Sequence, residues 1–553
     1  MARYSDSASP DEAVLIETDD FALVYDRRNR AFHKKLWNSS TKSWTTKVAP
    51  YSALVAKDGS TVWAEDSDGK TIASGEAGVD DASVIQSVID ILPNYKGTGH
   101  PYAGIIVFDS QSTYNIKKTI SISKKIIFEG EKFVVDAPLG FEVFDGDKTG
   151  PNPCCVTFRD LIIDGNGNDV FAFRYCNSWR LINLKIINAK HALLLERTWS
   201  VDQLILNCDF RGVPPDGEGL IHILTPDNDS TNSLAIINLA CSPYNNNASA
   251  IHIEPQANNN PINHLIIKRL HVEAIGYTPK VITGRGVWQG NIEFSASVQT
   301  TTTKPLIDLE CVHGVSISTY TGVPMKFGWI YRSEIKVRDL YKPERWASRP
   351  LIHITNGVSN VIDLREFWRV ELSDTTPLIK IGDPGYSPRN ILIKNLELGS
   401  SKMHSVIRLN DAAKNVKLVN CRFEYLNPDN AYSETYIVYT EGGVCVLEDC
   451  EAVATTYYDL ANDISKITLR RLRGDWKSEN SGTATFSGDG TTTQFSIAHG
   501  LVSTPTKVQV TPMSSDAASD FYVTADDTNI YINYKSAPPS GTDNLKFSWF
   551  AEV

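Results

Sequence analysis

Imidazole and carboxylate side chains return at one place in a series of short apolar frames. The frame reads LIHIL around His222, AIHIEP around His252 and Glu254, and PLIDLE around Asp308 and Glu310. Later copies, PLIHIT, PLIKIG and VIRLN, place His353, Lys380 and Arg408 at the equivalent position. If each frame is a β-strand, its flanking Ile and Leu residues face one way and the varied residue faces the other. Stacked frames then align these residues as an outward column. Neighbouring strands would separate them by about 5 Å, and outward positions two apart on one strand by about 7 Å. Paired carboxylates at such separations carry out retaining or inverting glycoside hydrolysis. His222, His252, Glu254, Asp308 and Glu310 are therefore the first catalytic candidates. A polar outer face that simply meets water would show the same pattern, as would a column lining a subunit contact.

A second candidate is the loop RGVPPDGEGL, which carries Asp216 and Glu218 just before the His222 strand. Its Pro and Gly residues are otherwise sufficient for a turn. Arg285, Trp288, Trp329, Tyr331 and Trp346 are candidates for contacts with a substrate, the aromatic rings by stacking on sugars. The stretch DGNGND at 164–169 imitates the start of a calcium loop. It lacks the sixth-place glycine and the twelfth-place acid, where Asp169 and Tyr175 stand, so a turn is expected. No HExxH, phosphate-binding loop or zinc spacing occurs, and no metal or cofactor is expected from motifs.

The frames must be positioned by something periodic. Each is followed by a polar turn and a second apolar strand, as in ALLLER then SVDQLILNCDF, or PLIKIG then RNILIKNLEL. Marking one inward residue per first strand gives Phe173, Leu195, Ile223, Ile253, Leu309, Ile354, Ile381, Leu409 and Tyr439. Neighbouring marks lie 22 to 30 residues apart except across two longer gaps, which KVITGR and GWIYRS fill. A period of this size indicates a solenoid. Helical solenoids need a 3.6-residue pattern, and propeller blades need more strands per repeat. The fold expected is all-β: a right-handed parallel β-helix over 76–478. The stretch GVDDASVIQSVIDIL has its apolar residues at helical spacing and would cap the first coil, with Asp80 or Asp81 at the start of the helix. Residues 1–75 form a mixed N-terminal region with a basic and aromatic run at 26–44, either a solvated face or an attachment surface. Residues 484–553, rich in Thr and Ser with alternating strands, read as a C-terminal β-sandwich.

Composition narrows the classes further. The 553 residues carry a net charge of −11, a mild acidic bias that argues against a general nucleic-acid binder. The first 20 residues contain no apolar run, so no signal peptide is expected, and no window suits a membrane helix. Nine cysteines without CxxC spacing suggest buried thiols, with disulfides or zinc as alternatives.

Three motifs resemble the pectate-lyase-like β-helix superfamily. Gly78-Val79-Asp80-Asp81 followed by Ile85-Gln86 and Ile89-Asp90 resembles its first helix. GIIVFDSQSTYNI at 104–116 resembles its next strand, with Asp109-Ser110-Gln111 in place of the usual Pro-Pro-Gly. LIIDGNG at 161–167 resembles its Leu-x-Ile-Asp-Gly-Asn-Gly turn. With the coil pattern, roughly 400 residues are covered. The layout within that superfamily is similar to viral tailspikes and polysaccharide depolymerases.

That resemblance implies a homotrimer carried on a virion tail or baseplate through the N-terminal region, acting outside the host cell. It implies binding and hydrolysis of a host surface polysaccharide. The alternatives are a polysaccharide lyase acting by β-elimination, for which Arg285 could serve, and a receptor-binding spike without enzymatic activity. Neither the calcium aspartates of pectate lyases nor the hydrolase motifs of the polygalacturonase group are intact. The structural motifs therefore leave the chemistry open.

Overall fold

The computed structural model describes residues 51–553 apart from short segments, the longer ones being 94–103, 145–154, 197–201, 226–232, 256–261, 299–304, 342–348, 428–431 and 454–457. Before residue 51 it describes backbone strands alone, Glu12–Glu17, Phe21–Asp26, Ala31–Asn38 and Ser43–Thr46, in an antiparallel sheet of that order. The side chains of the basic and aromatic run at 26–44 lie outside the described residues. The chain divides into two units, Met1–Thr300 and Thr301–Val553.

In the first unit, parallel strands pair with their counterparts one coil later. The expected inward series is in register: Phe173 pairs with Leu195, Leu195 with Ile223 and Ile223 with Ile253. All four are fully buried. Each such side chain contributes about 1.5–3 kcal/mol by leaving water, so the series acts as a continuous core. The next inward place holds Gly284, at φ +119, where a Cβ would lie 1.9 Å from the carbonyl oxygen of Ile253. Only glycine fits such a place. The coils nearest the N-terminus stack aromatic rings instead: Phe128 on Phe158 at 4.8 Å and Phe173 on Trp179 at 4.7 Å.

The expected helix spans Asp81–Ile91. Its acidic start does not cap it from within. Asp80 accepts from the Glu76 N–H, and buried Asp81 accepts from the N–H groups of Gly78 and Asn115 and from Lys57 Nζ. Gln86 pairs like a strand edge, accepting from the Ser121 N–H at 2.9 Å and donating to the Ser121 carbonyl at 3.1 Å. Lys124 Nζ donates to the carbonyls of Ile89, Asp90 and Leu92 at the other end. The helix thus covers open strand edges with side-chain amides and charges as well as with apolar surface.

The second unit continues the same logic. Leu309 pairs with Phe327, Phe327 with Ile354, Ile354 with Ile381 and Ile381 with Leu409. Tyr439 corrects the expected series. Leu409 pairs with Thr440, and Tyr439 pairs with outward Arg408, whose guanidinium lies 5.3 Å from the centre of its ring. The Tyr hydroxyl and the cation above the ring account for the outward choice, while small Thr440 is the buried residue. From Glu479 the chain forms two antiparallel three-stranded sheets. They share a core of Phe495, Ile497, Ile532, Leu545, Phe547 and Trp549, and their first strand is Glu479–Gly488.

Asparagines line the turns. Asn183, Asn207 and Asn238 have φ of 55°, 54° and 57°. Asn238 Nδ2 donates to Asn207 Oδ1 at 2.9 Å, Asn207 to Asn183 at 3.4 Å and Asn183 to Asp160 at 2.9 Å. Asn395 and Asn420 repeat this in the second unit, from Asp363 onward. Asparagine tolerates the left-handed backbone and has both a donor and an acceptor to pass along the stack. Asn207→Ala should lower stability by about 1–2 kcal/mol. Asn207→Gly should lose about half as much, since glycine accepts that φ. Chemical denaturation midpoints of the three proteins test this, and an Ala variant no worse than the Gly variant would remove backbone strain as the cause.

Candidate functional site

Five successive coils of the first unit bring their outward side chains into one polar row. Asp169 stands two residues before inward Phe171, and His191 two residues before inward Leu193, its partner in the next coil. Glu218 and His222 flank the start of strand Gly219–Thr225, His252 and Glu254 lie on Ser249–Pro255, and Thr283 lies on Lys280–Trp288. His222 pairs with His252 and His252 with Thr283, one coil apart each time. Gly219 makes room: a Cβ there would lie 2.5 Å from the backbone nitrogen of His252.

Along the row, acids and imidazoles alternate. Asp169 Oδ1 lies 2.7 Å from His191 Nδ1, and His191 Nε2 lies 2.6 Å from Glu218 Oε2. The same Glu218 oxygen is 3.4 Å from His222 Nδ1. His222 Nε2 is 3.1 Å from Glu254 Oε2, which is 4.0 Å from His252 Nε2. His252 Nδ1 meets Thr283 Oγ1 at 2.7 Å, and that hydroxyl meets Ser249 Oγ at 3.0 Å. Neighbouring imidazole rings are tilted, with centres 5.6 Å and 5.2 Å apart. His191 and His222 are buried, whereas the side chain of Glu254 is 52% exposed. Burial, followed by the neighbouring His222, pushes His252 down to about 4 against the pull of Glu254 and Glu218.

The structure therefore brings together His222, His252 and Glu254 with Glu218, the second-choice loop acid. Asp216 of that loop turns instead to Asn245 and Asn247, whose side-chain amides donate to it at 3.0 Å each. His191 and Asp169 were not among the candidates. His191 precedes strand Leu193–Glu196 and Asp169 is the first residue of Asp169–Arg174, both before the recognisable apolar frame. The only sequence sign was the parallel between His191-Ala192-Leu193 and Asp169-Val170-Phe171. The neighbouring DGNGND residues do form a turn: Asp164 accepts from the Asn166 N–H and from Asn188 Nδ2. Arg285 is half-buried and Trp288 exposed on the strand that carries Thr283.

In the second unit, half-buried Asp308 pairs with Lys326, and Lys326 with His353, Lys380 and Arg408 in turn. Glu310 is exposed on the Asp308 strand. Trp329 and Tyr331 present near-parallel rings with centres 6.2 Å apart, and Tyr386 meets Trp329 edge-on. Trp346 lies outside the described residues. Asp383 gathers His353 Nε2 at 3.0 Å, Thr355 Oγ1 at 2.9 Å and Lys380 Nζ at 2.5 Å. Cys176, Cys208, Cys241, Cys421, Cys445 and Cys450 are buried thiols and Cys311 is half-buried, while Cys154 and the side chain of Cys155 lie outside the described residues. No helix among the described residues is long and apolar enough to cross a membrane.

No protein-family model matches the chain, and no curated protein matches it. Solved structures do. A mutant tailspike protein of E. coli bacteriophage HK620 aligns over 88% of this chain and 92% of its own, with 10% identity and a TM-score of 0.38. The tailspike protein gp49 of Pseudomonas phage LKA1 aligns over 80% and 68%, with 13% identity and a TM-score of 0.22. The Streptococcus pneumoniae surface protein and adhesin PfbA aligns over 71% and 94%, with 13% identity and a TM-score of 0.26.

His353 yields a pH prediction. Burial holds it below the ordinary histidine value, with Lys380 and Lys326 adding to the effect and Asp383 opposing it. The unfolded chain then binds a proton that the folded chain refuses, so stability falls as pH drops through about 6.5. His353→Gln removes this share. Its thermal midpoint should decline less steeply than that of the wild type between pH 7.5 and 5; equal slopes would exclude burial of the neutral ring as a source.

Proposed function

We propose that the chain is a tailspike-like protein that binds a host cell-surface polysaccharide and depolymerises it by glycoside hydrolysis at the histidine–carboxylate row. The observation that carries this reading is the placing of Glu218 and Glu254 on one outer face, against opposite nitrogens of His222. Hydrolysis of a glycosidic bond needs one carboxyl to protonate the leaving oxygen and a second to act on the sugar carbon or on water. Glu254, the more exposed, is the acid that meets the substrate, and Glu218 is its partner. Inverting pairs stand roughly 6.5–9.5 Å apart and retaining pairs about 5–5.5 Å; the His222 ring held between the two acids favours the wider, inverting arrangement. Arg285 and Trp288, one coil beyond His252, would hold flanking sugars.

The remaining parts of the reading follow the layout of the sequence. Residues 1–75 would attach the protein to a virion tail or baseplate, the coils would form a homotrimer, and the C-terminal sandwich would serve assembly or glycan binding. The protein would then act on the outside of the host cell.

Incubation of the pure protein with a panel of host-surface glycans tests the proposal. Shorter oligosaccharides are expected, and Glu254→Gln and Glu218→Gln should each lower the rate at least about 100-fold while glycan binding persists. Products with an unsaturated uronic end would favour the lyase. Binding without cleavage across the panel would leave a receptor-binding spike. Sedimentation as a monomer would remove the trimer.

A further inference from the structure

We propose that His191, Glu218 and His222 form a binding site for one divalent transition-metal ion, of the zinc class. The donor atoms of these three residues all lie within 4.8 Å of one another. Two features of the row go beyond proximity.

The first is proton arithmetic. Glu218 and Asp169 both stand at hydrogen-bond distance from the two nitrogens of His191, at 2.6 and 2.7 Å. A neutral imidazole has one N–H and can donate to only one of them. Glu218 and Glu254 repeat the arrangement around His222, at 3.4 and 3.1 Å. Even with Lys190 Nζ 3.8 Å from Asp169, three carboxylates share the N–H groups of two buried imidazoles, and a metal ion would supply positive charge at their centre.

The second is the outer partner of each ring. Metal-binding histidines commonly donate their far N–H to a carboxylate, which fixes the ring and the tautomer. Asp169 occupies that place on His191 Nδ1 and leaves Nε2 toward Glu218. Glu254 occupies it on His222 Nε2 and leaves Nδ1 toward the same Glu218 oxygen. Both inner nitrogens thus meet at one Glu218 oxygen. In a tetrahedral shell with bonds near 2.0 Å, ligand atoms stand on the order of 3.3 Å apart. The His222–Glu218 pair already meets that spacing at 3.4 Å, and the His191–Glu218 pair at 2.6 Å needs to open by less than an ångström. Two imidazoles and one carboxylate suit zinc and its neighbours, whereas calcium and magnesium prefer oxygen throughout.

His222, His252 and Glu254 form a second close set, but it reuses His222, and its acid is half exposed. The inner set has both of its imidazoles buried. A bound ion would take Glu218 as a ligand, on the side of the His222 ring opposite Glu254. The inference shares residues with the glycan reading without depending on it: uptake without cleavage would leave it standing, and cleavage without uptake would remove it alone.

The test is zinc titration of the chelator-dialysed full-length protein at pH 7.5, by calorimetry and by competition with a chromophoric chelator. One ion per chain is expected. His191→Ala and His222→Ala should abolish uptake, and Asp169→Asn should weaken it about 10–100-fold. If those variants fail to fold, cobalt(II) bound to the wild type decides, with intense visible bands expected for a four-coordinate nitrogen–oxygen site. No stoichiometric uptake, uptake unchanged in both histidine variants, or a six-coordinate cobalt spectrum would each overturn the site.

Discussion

Parallel pairing from coil to coil is the constraint on which the rest depends. Each strand satisfies its backbone groups on the coil before and the coil after, so equivalent positions must stack. Inward places therefore repeat the same slice of core, as in Phe173, Leu195, Ile223 and Ile253. Outward places are forced into rows at strand spacing, whatever their chemistry. The polar row from Asp169 to Thr283 is a product of register in this sense. Its groups come from five coils and need no long loop to bring them together.

The same constraint explains what the sequence disclosed. The inward residues were legible because the core demands them at every coil, and His222, His252 and Glu254 followed by alternation. The coil at KVITGR was harder to see because its inward place holds Gly284, where the backbone leaves the ordinary region and no apolar mark remains. Tyr439 misled because an aromatic side chain looks apolar in a frame whose true inward member is Thr440. His191 and Asp169 sit outside the alternating stretch, and only their distance to the next inward residue links them. Glu218 was visible only as a loop acid. Its place between two imidazoles depends on the turn that Gly217 and Gly219 allow, which strand periodicity does not encode.

The first helix shows the constraint at an end. A coil without a predecessor has open backbone groups, and the side chains of Asp81 and Gln86 supply them with partners, while Lys124 of the coil serves the carbonyls at the end of the helix. The Asp pair and the Ile-Gln step in the sequence are therefore legible as docking residues, even though neither Asp80 nor Asp81 caps the helix itself. Glutamine at position 86 is the most telling of these, since it reproduces with one amide what a neighbouring strand would offer.

The asparagine ladder carries a consequence for how such a chain can change in length. Asn207 receives from Asn238 and gives to Asn183, so every rung has the same two sockets. A duplicated coil can slot between two rungs and leave no socket empty, and a deleted coil lets its neighbours close up. Gain or loss of a few residues within a strand would instead throw every later rung out of step. The solenoid is in this respect a modular tape, free to grow or shrink in whole coils, with any outward row extended or interrupted one coil at a time.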